Sequence, residues 1–388
     1  MSFQIKTLNN ISGKGLSLLA TNQYNVGDDV ESPDAILLRS YNMHNMDIPD
    51  SLSAVGRAGS GVNNIPLHAM NEAGVVVFNA PGANSNAVKE LVLAAMLIAS
   101  RNLTMEKEYV DDLEGENSEL HKAVEQGKKK FAGFELPGRT LGVVGLGAIG
   151  VKIANAARAL GMHVVGYDPR IQIRYAWELS SDVKPVDSVD ELLARSDFLT
   201  FHVPLIESTK NLINADSIKH MKEGAVVLNF ARDGIVNDVD VCNAIDAGKL
   251  HAYVCDFPSN EIKGRKGVIA FPHLGASTTE AEENCARMVA LQVSDYLENG
   301  NIINSVNLPN IKLARSGGYR LSIIHQNVPD MVGQISHVLG HADVNIQHMV
   351  NDSRGNLAYT LMDVEAAVSD ETRQALLDVE GVLKVRVL

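Results

Sequence analysis

The chain has 388 residues, of which 45% are hydrophobic and 21% charged, and a formal net charge of −13. That length asks for two or three cores, and that composition excludes a disordered or fibrous chain. The acidic field excludes nucleic acid and anionic membranes as natural partners, but not a small anionic substrate held by local cations.

Residues 1–6 lack the apolar core of a signal peptide, and the longest apolar run, 91–99, falls far below the roughly 20 residues of a membrane span. Cys242, Cys255 and Cys285 show no paired spacing, so neither a disulfide framework nor a metal site is expected. A cytoplasmic location follows as an expectation.

Residues 34–40 and 75–79 read as buried strands with polar ends, and Gly56, Gly59, Gly61, Gly74, Pro81 and Gly82 punctuate the stretch around them. From 87 to 101 the pattern becomes helical and apolar nearly all round, as for a helix buried between domains or subunits. A lysine-rich polar stretch fills 106–130. Strands are then predicted at 140–144, 163–167, 198–203, 225–229, 252–255 and 268–270, with helices at 148–160, 189–195 and 239–248. Such alternation is the pattern of a doubly wound parallel sheet. Beyond a break at Pro309 and at Ser316-Gly317-Gly318, residues 319–388 read strand, helix, strand, strand, helix, strand, a ferredoxin-like module.

Gly145, Gly147 and Gly150 form a G-x-G-x-x-G turn directly after one strand and at the start of a helix. The glycines let the turn close and let the backbone approach a pyrophosphate, which the helix N-terminus favours. The next strand ends at Asp168, 18 residues beyond Gly150, where a carboxylate suits the adenosine ribose hydroxyls and repels the extra phosphate of NADP. NAD is therefore the expected cofactor, although Arg170 nearby suits NADP.

Residues 229–236, Asp256-Phe257, Glu261 and 272–278 resemble the D-2-hydroxyacid dehydrogenase family, as do 144–150 and 202–205. The resemblance runs in order over 30–310. It implies two Rossmann-like domains: a substrate domain from 1–83 with 275–307, and an NAD domain over 84–274. In motif order it makes Arg232, Glu261 and His273 the catalytic set. The chemistry suits these residue types. A histidine exchanges protons near neutral pH, a carboxylate can orient it, and a guanidinium can grip the substrate carboxylate. Taken singly, each residue also has a plain structural reading; the ordered set downstream of a dinucleotide turn favours chemistry.

By the same resemblance, cofactor contacts fall on Gly145, Gly147, Ala148, Ile149, Gly150, Asp168, Val203, Phe230, Ala231, Arg232, Asp256, His273 and Gly275, with Asp256 directed at the nicotinamide carboxamide. Gly59, Ser60 and Gly61 would offer backbone N–H groups to the substrate carboxylate. A phosphorylated 2-hydroxyacid would add Arg39 and Arg57, with Lys128, Lys129 and Lys130 as further candidates. Residues 319–388 resemble an ACT domain whose serine site falls on His325, Asn327 and Asn345, with a departure at Asp330, where glycine is usual. L-serine is thus a candidate effector and a homodimer or homotetramer the expected assembly. Alternatives are an unphosphorylated 2-hydroxyacid such as lactate, glycerate or 2-hydroxyglutarate, and an NADH-sensing corepressor-like binding protein.

Overall fold

A computed structural model describes residues 2–9, 11–316 and 318–388, so Gly317 of the predicted break lies outside the described residues. The chain divides into two units, one built from 1–84 with 279–388 and the other from 85–278.

The first unit opens with five parallel strands: β1 (Phe3–Leu8), β2 (Tyr24–Gly27), β3 (Ala35–Leu38), β4 (Ala54–Arg57) and β5 (Val76–Phe78), in the order β2-β1-β3-β4-β5. Alternation with period two sends Ile36, Leu38, Val55 and Val77 to one face and Ala35, Leu37, Ala54, Val76 and Phe78 to the other. β1 and β2 were not anticipated, because only Ile5 of β1 is buried and the strand carries no apolar run. β4 contains Gly56 and Arg57, which the sequence reading treated as loop. A Cβ at Gly56 would meet Leu37 Cδ2 at 2.8 Å and Val289 Cβ at 3.2 Å, so the bare glycine lets a helix lie against the strand.

The second unit begins with α1 (Ser85–Arg101), which buries Val92, Ala95, Met96 and Ala99 but leaves Leu97 45% exposed. The polar stretch that follows is helical over Leu103–Asp111 and Asn117–Gly127, the latter opened by a capping box between Glu116 and Glu119. Next come β6 (Thr140–Val144), α2 (Gly150–Ala159), β7 (His163–Tyr167), β8 (Lys184–Pro185), β9 (Phe198–Phe201), β10 (Ala225–Asn229), α3 (Asp238–Asp246), β11 (Leu250–Cys255) and β12 (Val268–Ala270). All are parallel, in the order β12-β11-β10-β9-β6-β7-β8. Both faces of the sheet are apolar, one packed on α1 and α2 and the other on α3. The chain order reverses between β6 and β9, and such a switch point at the carboxyl ends of strands is where doubly wound sheets bind ligands.

The first unit resumes with α4 (Thr279–Asn299), followed by β13 (Tyr319–Gln326), α5 (Met331–His341), β14 (Ile346–Arg354), β15 (Leu357–Val364), α6 (Asp370–Leu377) and β16 (Val382–Val387). The four strands are antiparallel in the order β14-β15-β13-β16. One face packs its own helices through Leu321, Ile323, Ile335, Leu339 and Met362. The other sends Ile324, Tyr359 and Leu361 into the core shared with Phe78 and Tyr296. No described helix is long and apolar enough to cross a membrane.

A buried ion pair ties this sheet to the segment leading into it. Arg320 and Asp363 are 0% and 1% exposed, and Arg320 Nε and Nη2 donate to the two carboxylate oxygens at 2.6 and 3.0 Å. The remaining guanidinium donors reach the carbonyls of Asn299, Leu313 and Ala314, and Ser316 Oγ donates to Asp363. Burial pushes the Asp363 carboxyl up, but the bonds from Arg320 and Ser316 outweigh it and hold the group below its ordinary value. Its stabilisation is therefore full above the ordinary carboxylate pKa of about 3.9 and fades as pH falls through the depressed value. Asp363→Asn strands a buried guanidinium, and urea unfolding at pH 7 is expected to show a loss of about 3–5 kcal/mol; a loss below about 1 kcal/mol would refute this role.

Candidate active site

The turn after β6 is held by backbone contact. Gly145 has φ +91°, and a Cβ there would lie 2.5 Å from the His202 carbonyl oxygen. A Cβ at Gly150 would sit 1.9 Å from the Gly145 oxygen, so strand, turn and helix touch main chain to main chain. Gly147 has nothing within 4 Å of its Cβ position, which leaves that side open for a phosphate to approach. Asp168, at the end of β7, accepts from Leu146 N at 2.9 Å and from Arg170 N at 2.9 Å, fixing the carboxylate beside the turn. Ala148 and Ile149 are partly exposed at the mouth of α2, and Val203 lies against Gly145. An open glycine cradle, a helix N-terminus and an anchored acid fit a dinucleotide. His202 joins this corner: Nε2 meets Thr200 Oγ1 at 2.9 Å, Nδ1 has no partner, and burial pushes the ring's pKa down to about 3, so it stays neutral.

At the end of β10, Asn229 is 1% exposed and closes the next loop. Its Nδ2 donates to Arg232 O at 2.9 Å, and its Oδ1 accepts from Ala231 N at 3.3 Å. Phe230 stacks on Phe271 with ring centroids 6.4 Å apart, so Phe230 and Ala231 are buried while the Arg232 side chain is exposed. Among the described residues Arg232 forms no ion pair. Its Nη1 donates only to Ala231 O, at 2.6 Å, leaving guanidinium capacity for a ligand.

Asp256, at the end of β11, is 1% exposed and accepts from Leu274 N at 2.7 Å and Gly275 N at 2.8 Å. Burial pushes this carboxyl up, opposed by those amides and by His273. The enclosed carboxylate of Asp256 serves the loop that carries His273. That residue adopts φ +56°, a left-handed conformation sparsely populated by non-glycine residues, and its N–H donates to Phe271 O at 3.1 Å. The His273 ring is exposed and stands edge-on to Phe257 at 5.2 Å.

No hydrogen bond or ion pair joins His273 to Glu261 among the described residues. Its side chain is exposed and unpaired among the described residues, and its carbonyl accepts from Arg265 Nε at 3.3 Å. Nearby, Ser259 Oγ donates to Asp238 at 2.6 Å. Burial first, then the charges of Asp233 and Glu261, raise the Asp238 carboxyl. The carboxylate beside the histidine is Asp256.

In the other unit, Arg39 lies at the end of β3 with Nη1 paired to Glu282 Oε1 at 2.5 Å. Arg57 Nε donates to Arg39 O at 3.0 Å, and its guanidinium lies against Gly59. Ser60 is tied to Asn79 and Asn84 by hydrogen bonds of 2.7 and 3.3 Å, shaping the turn that continues into Gly61. Lys128, which belongs to the unit of residues 85–278, pairs with Glu125, and its neighbours Lys129 and Lys130 are exposed. His325 is 2% exposed, with Nδ1 on Gln326 O at 2.8 Å and Nε2 on Thr360 Oγ1 at 3.0 Å and Asn351 Nδ2 at 3.2 Å. Asn327 donates to Gly355 O at 3.1 Å, whereas Asn345 is exposed. A cavity of about 1300 Å³ in this unit, lined by Asp34, Asp50, Arg315, Arg373, Lys384 and Arg386 among others, includes none of the predicted site residues.

A family model for the NAD-binding domain of D-isomer specific 2-hydroxyacid dehydrogenases matches residues 93–276, which take in the glycine turn, Asp168, Arg232, Glu261 and His273. A D-3-phosphoglycerate dehydrogenase of Haemophilus influenzae is 34% identical over 350 residues, covering 87% of this chain and 81% of the relative. The chain belongs to the D-3-phosphoglycerate dehydrogenase family of D-2-hydroxyacid dehydrogenases. The enzyme of that name from Methanocaldococcus jannaschii is 35% identical over 79% of this chain, which spans 57% of that relative's length. The apo structure of Rhodotorula graminis D-mandelate dehydrogenase shares the fold, with a TM-score of 0.69, 24% identity, and coverage of 81% of this chain and 100% of that one. The D-2-hydroxyacid dehydrogenases are NAD-dependent oxidoreductases, and NAD is the cofactor here.

Asp256→Asn replaces an acceptor by an amide donor facing Leu274 and Gly275 N–H groups, which should shift the His273 loop. Turnover is expected to fall about 100-fold while NADH affinity, followed by fluorescence titration, changes less than about threefold. Undiminished turnover would show that Asp256 does not position the histidine.

Proposed function

We propose that the chain oxidises D-3-phosphoglycerate to 3-phosphohydroxypyruvate with NAD, the first committed step of serine synthesis. The observation that carries this is His273, exposed on a left-handed loop that a buried carboxylate secures, within a chain 30–36% identical to relatives named D-3-phosphoglycerate dehydrogenase. His273 takes the proton of the substrate hydroxyl during oxidation and returns it during reduction. Arg232 grips the carboxylate and polarises the carbonyl, and Asp256 fixes the histidine loop. Glu261 joins this set only if its loop turns toward the ring. The nicotinamide supplies the hydride chemistry when bound. Gly59, Ser60 and Gly61 offer amides to the carboxylate, and Arg39 and Arg57 provide charge for the phosphate.

The antiparallel order of the C-terminal module supports reading it as an ACT domain with β14 as a free edge for a second copy. Serine binding there is a secondary proposal. Both nitrogens of His325 are engaged within the module, so a ligand would have to displace Thr360 and Asn351. Asp330 takes φ +67°, the conformation that accounts for glycine being usual at this position.

The test is NADH absorbance with 3-phosphohydroxypyruvate, pyruvate and 2-oxoglutarate side by side, with and without millimolar L-serine. The proposal expects the phosphorylated acid to give the highest kcat/KM. Preference for an unphosphorylated acid would overturn the substrate, tight NADH binding without turnover would favour a redox sensor, and rates unmoved by serine would reject feedback control.

A further inference from the structure

The ion pair between Arg39 and Glu282 has a consequence for substrate choice. Arg39 stands at the carboxyl end of β3, the edge where parallel sheets receive ligands. Its main chain is fixed: the carbonyl accepts from Arg57 Nε at 3.0 Å and Asn64 Nδ2 at 3.2 Å, and the amide donates to Asn9 Oδ1 at 3.5 Å. Glu282 projects from the first turn of α4 and meets Arg39 Nη1 at 2.5 Å. The two side chains are 29% and 45% exposed, and an ion pair this open to water adds little stability. The thiol of Cys285, about one turn along α4, is pushed up by burial and lies within the fields of Arg39, Arg57 and Glu282 together, so the three charges converge on one spot.

We propose that Glu282 is a specificity-determining residue, a counter-ion that holds Arg39 when substrate is absent and so reduces the preference for phosphorylated over unphosphorylated 2-oxoacids. This rests on the reading of Arg39 as a phosphate-binding residue. A phosphate dianion must first part the pair and then lie beside a carboxylate of like charge a few ångströms away. An unphosphorylated acid that does not use Arg39 meets neither cost. Glutamine at this position keeps the shape of the side chain and removes the charge.

Glu282→Gln, Arg39→Ala and the double variant are compared with the unmodified protein for KM toward 3-phosphohydroxypyruvate and toward hydroxypyruvate, which lacks only the phosphate. Glu282→Gln is expected to lower KM for the phosphorylated acid about fivefold, to change that for hydroxypyruvate less than about twofold, and to have no selective effect once Arg39 is alanine. Equal shifts for both acids, or a selective shift that persists without Arg39, would overturn the proposal. A selective loss in Arg39→Ala with no response to Glu282→Gln would overturn it alone. An unchanged KM for the phosphorylated acid in Arg39→Ala would overturn the phosphate reading as well.

Discussion

The loop that carries His273 depends on one buried carboxylate. Asp256 accepts the amides of Leu274 and Gly275, and the loop so held carries His273 at φ +56°. A histidine in that conformation is strained by roughly 1–3 kcal/mol and persists only where its surroundings over-determine it. Here the Phe271 carbonyl, the Phe257 ring and the two amides on Asp256 do so. The imidazole remains solvent-exposed, with a negative charge beneath its own loop.

The same economy of backbone contact organises the cofactor side. Gly145 and Gly150 admit no Cβ, so β6, its turn and α2 pack without intervening side chains. Asp168 then bridges Leu146 N and Arg170 N and stabilises the turn as well as presenting a charge. Asn229 does for the Arg232 loop what Asp256 does for the His273 loop. In both cases a buried polar side chain at a strand end satisfies loop amides or carbonyls and leaves the neighbouring charged group outward.

Strands β6, β7 and β10 were legible to the residue, because parallel strands buried on both faces read as short apolar runs between turn residues, and the edge strand β12 was legible as a short apolar run after a glycine. The glycine turn and Asp168 were legible for a different reason: a fixed spacing and a fixed order. β1 was not, since Lys6 interrupts it and spends its ammonium on the Val30 carbonyl at 2.9 Å. The helices within 103–127 were hidden by their polarity, which a capping box and exposed faces tolerate. Within the site, residue identities were readable but aims were not. Spacing placed Glu261 ahead of His273, yet a loop orients side chains through contacts such as Arg265 on its carbonyl, and these are set by the fold. The partners of His325 and the counter-ion of Arg39 lie on elements far away in sequence, and Asn229 was visible in a motif without any sign of what it holds.

The most direct measurement is turnover by His273→Gln alongside its NADH titration. If His273 carries the proton, kcat for 3-phosphohydroxypyruvate reduction should fall by about 10²–10⁴ while NADH affinity stays within about threefold of the unmodified protein. Turnover that survives the substitution would place proton transfer on another group and contradict the account at its centre.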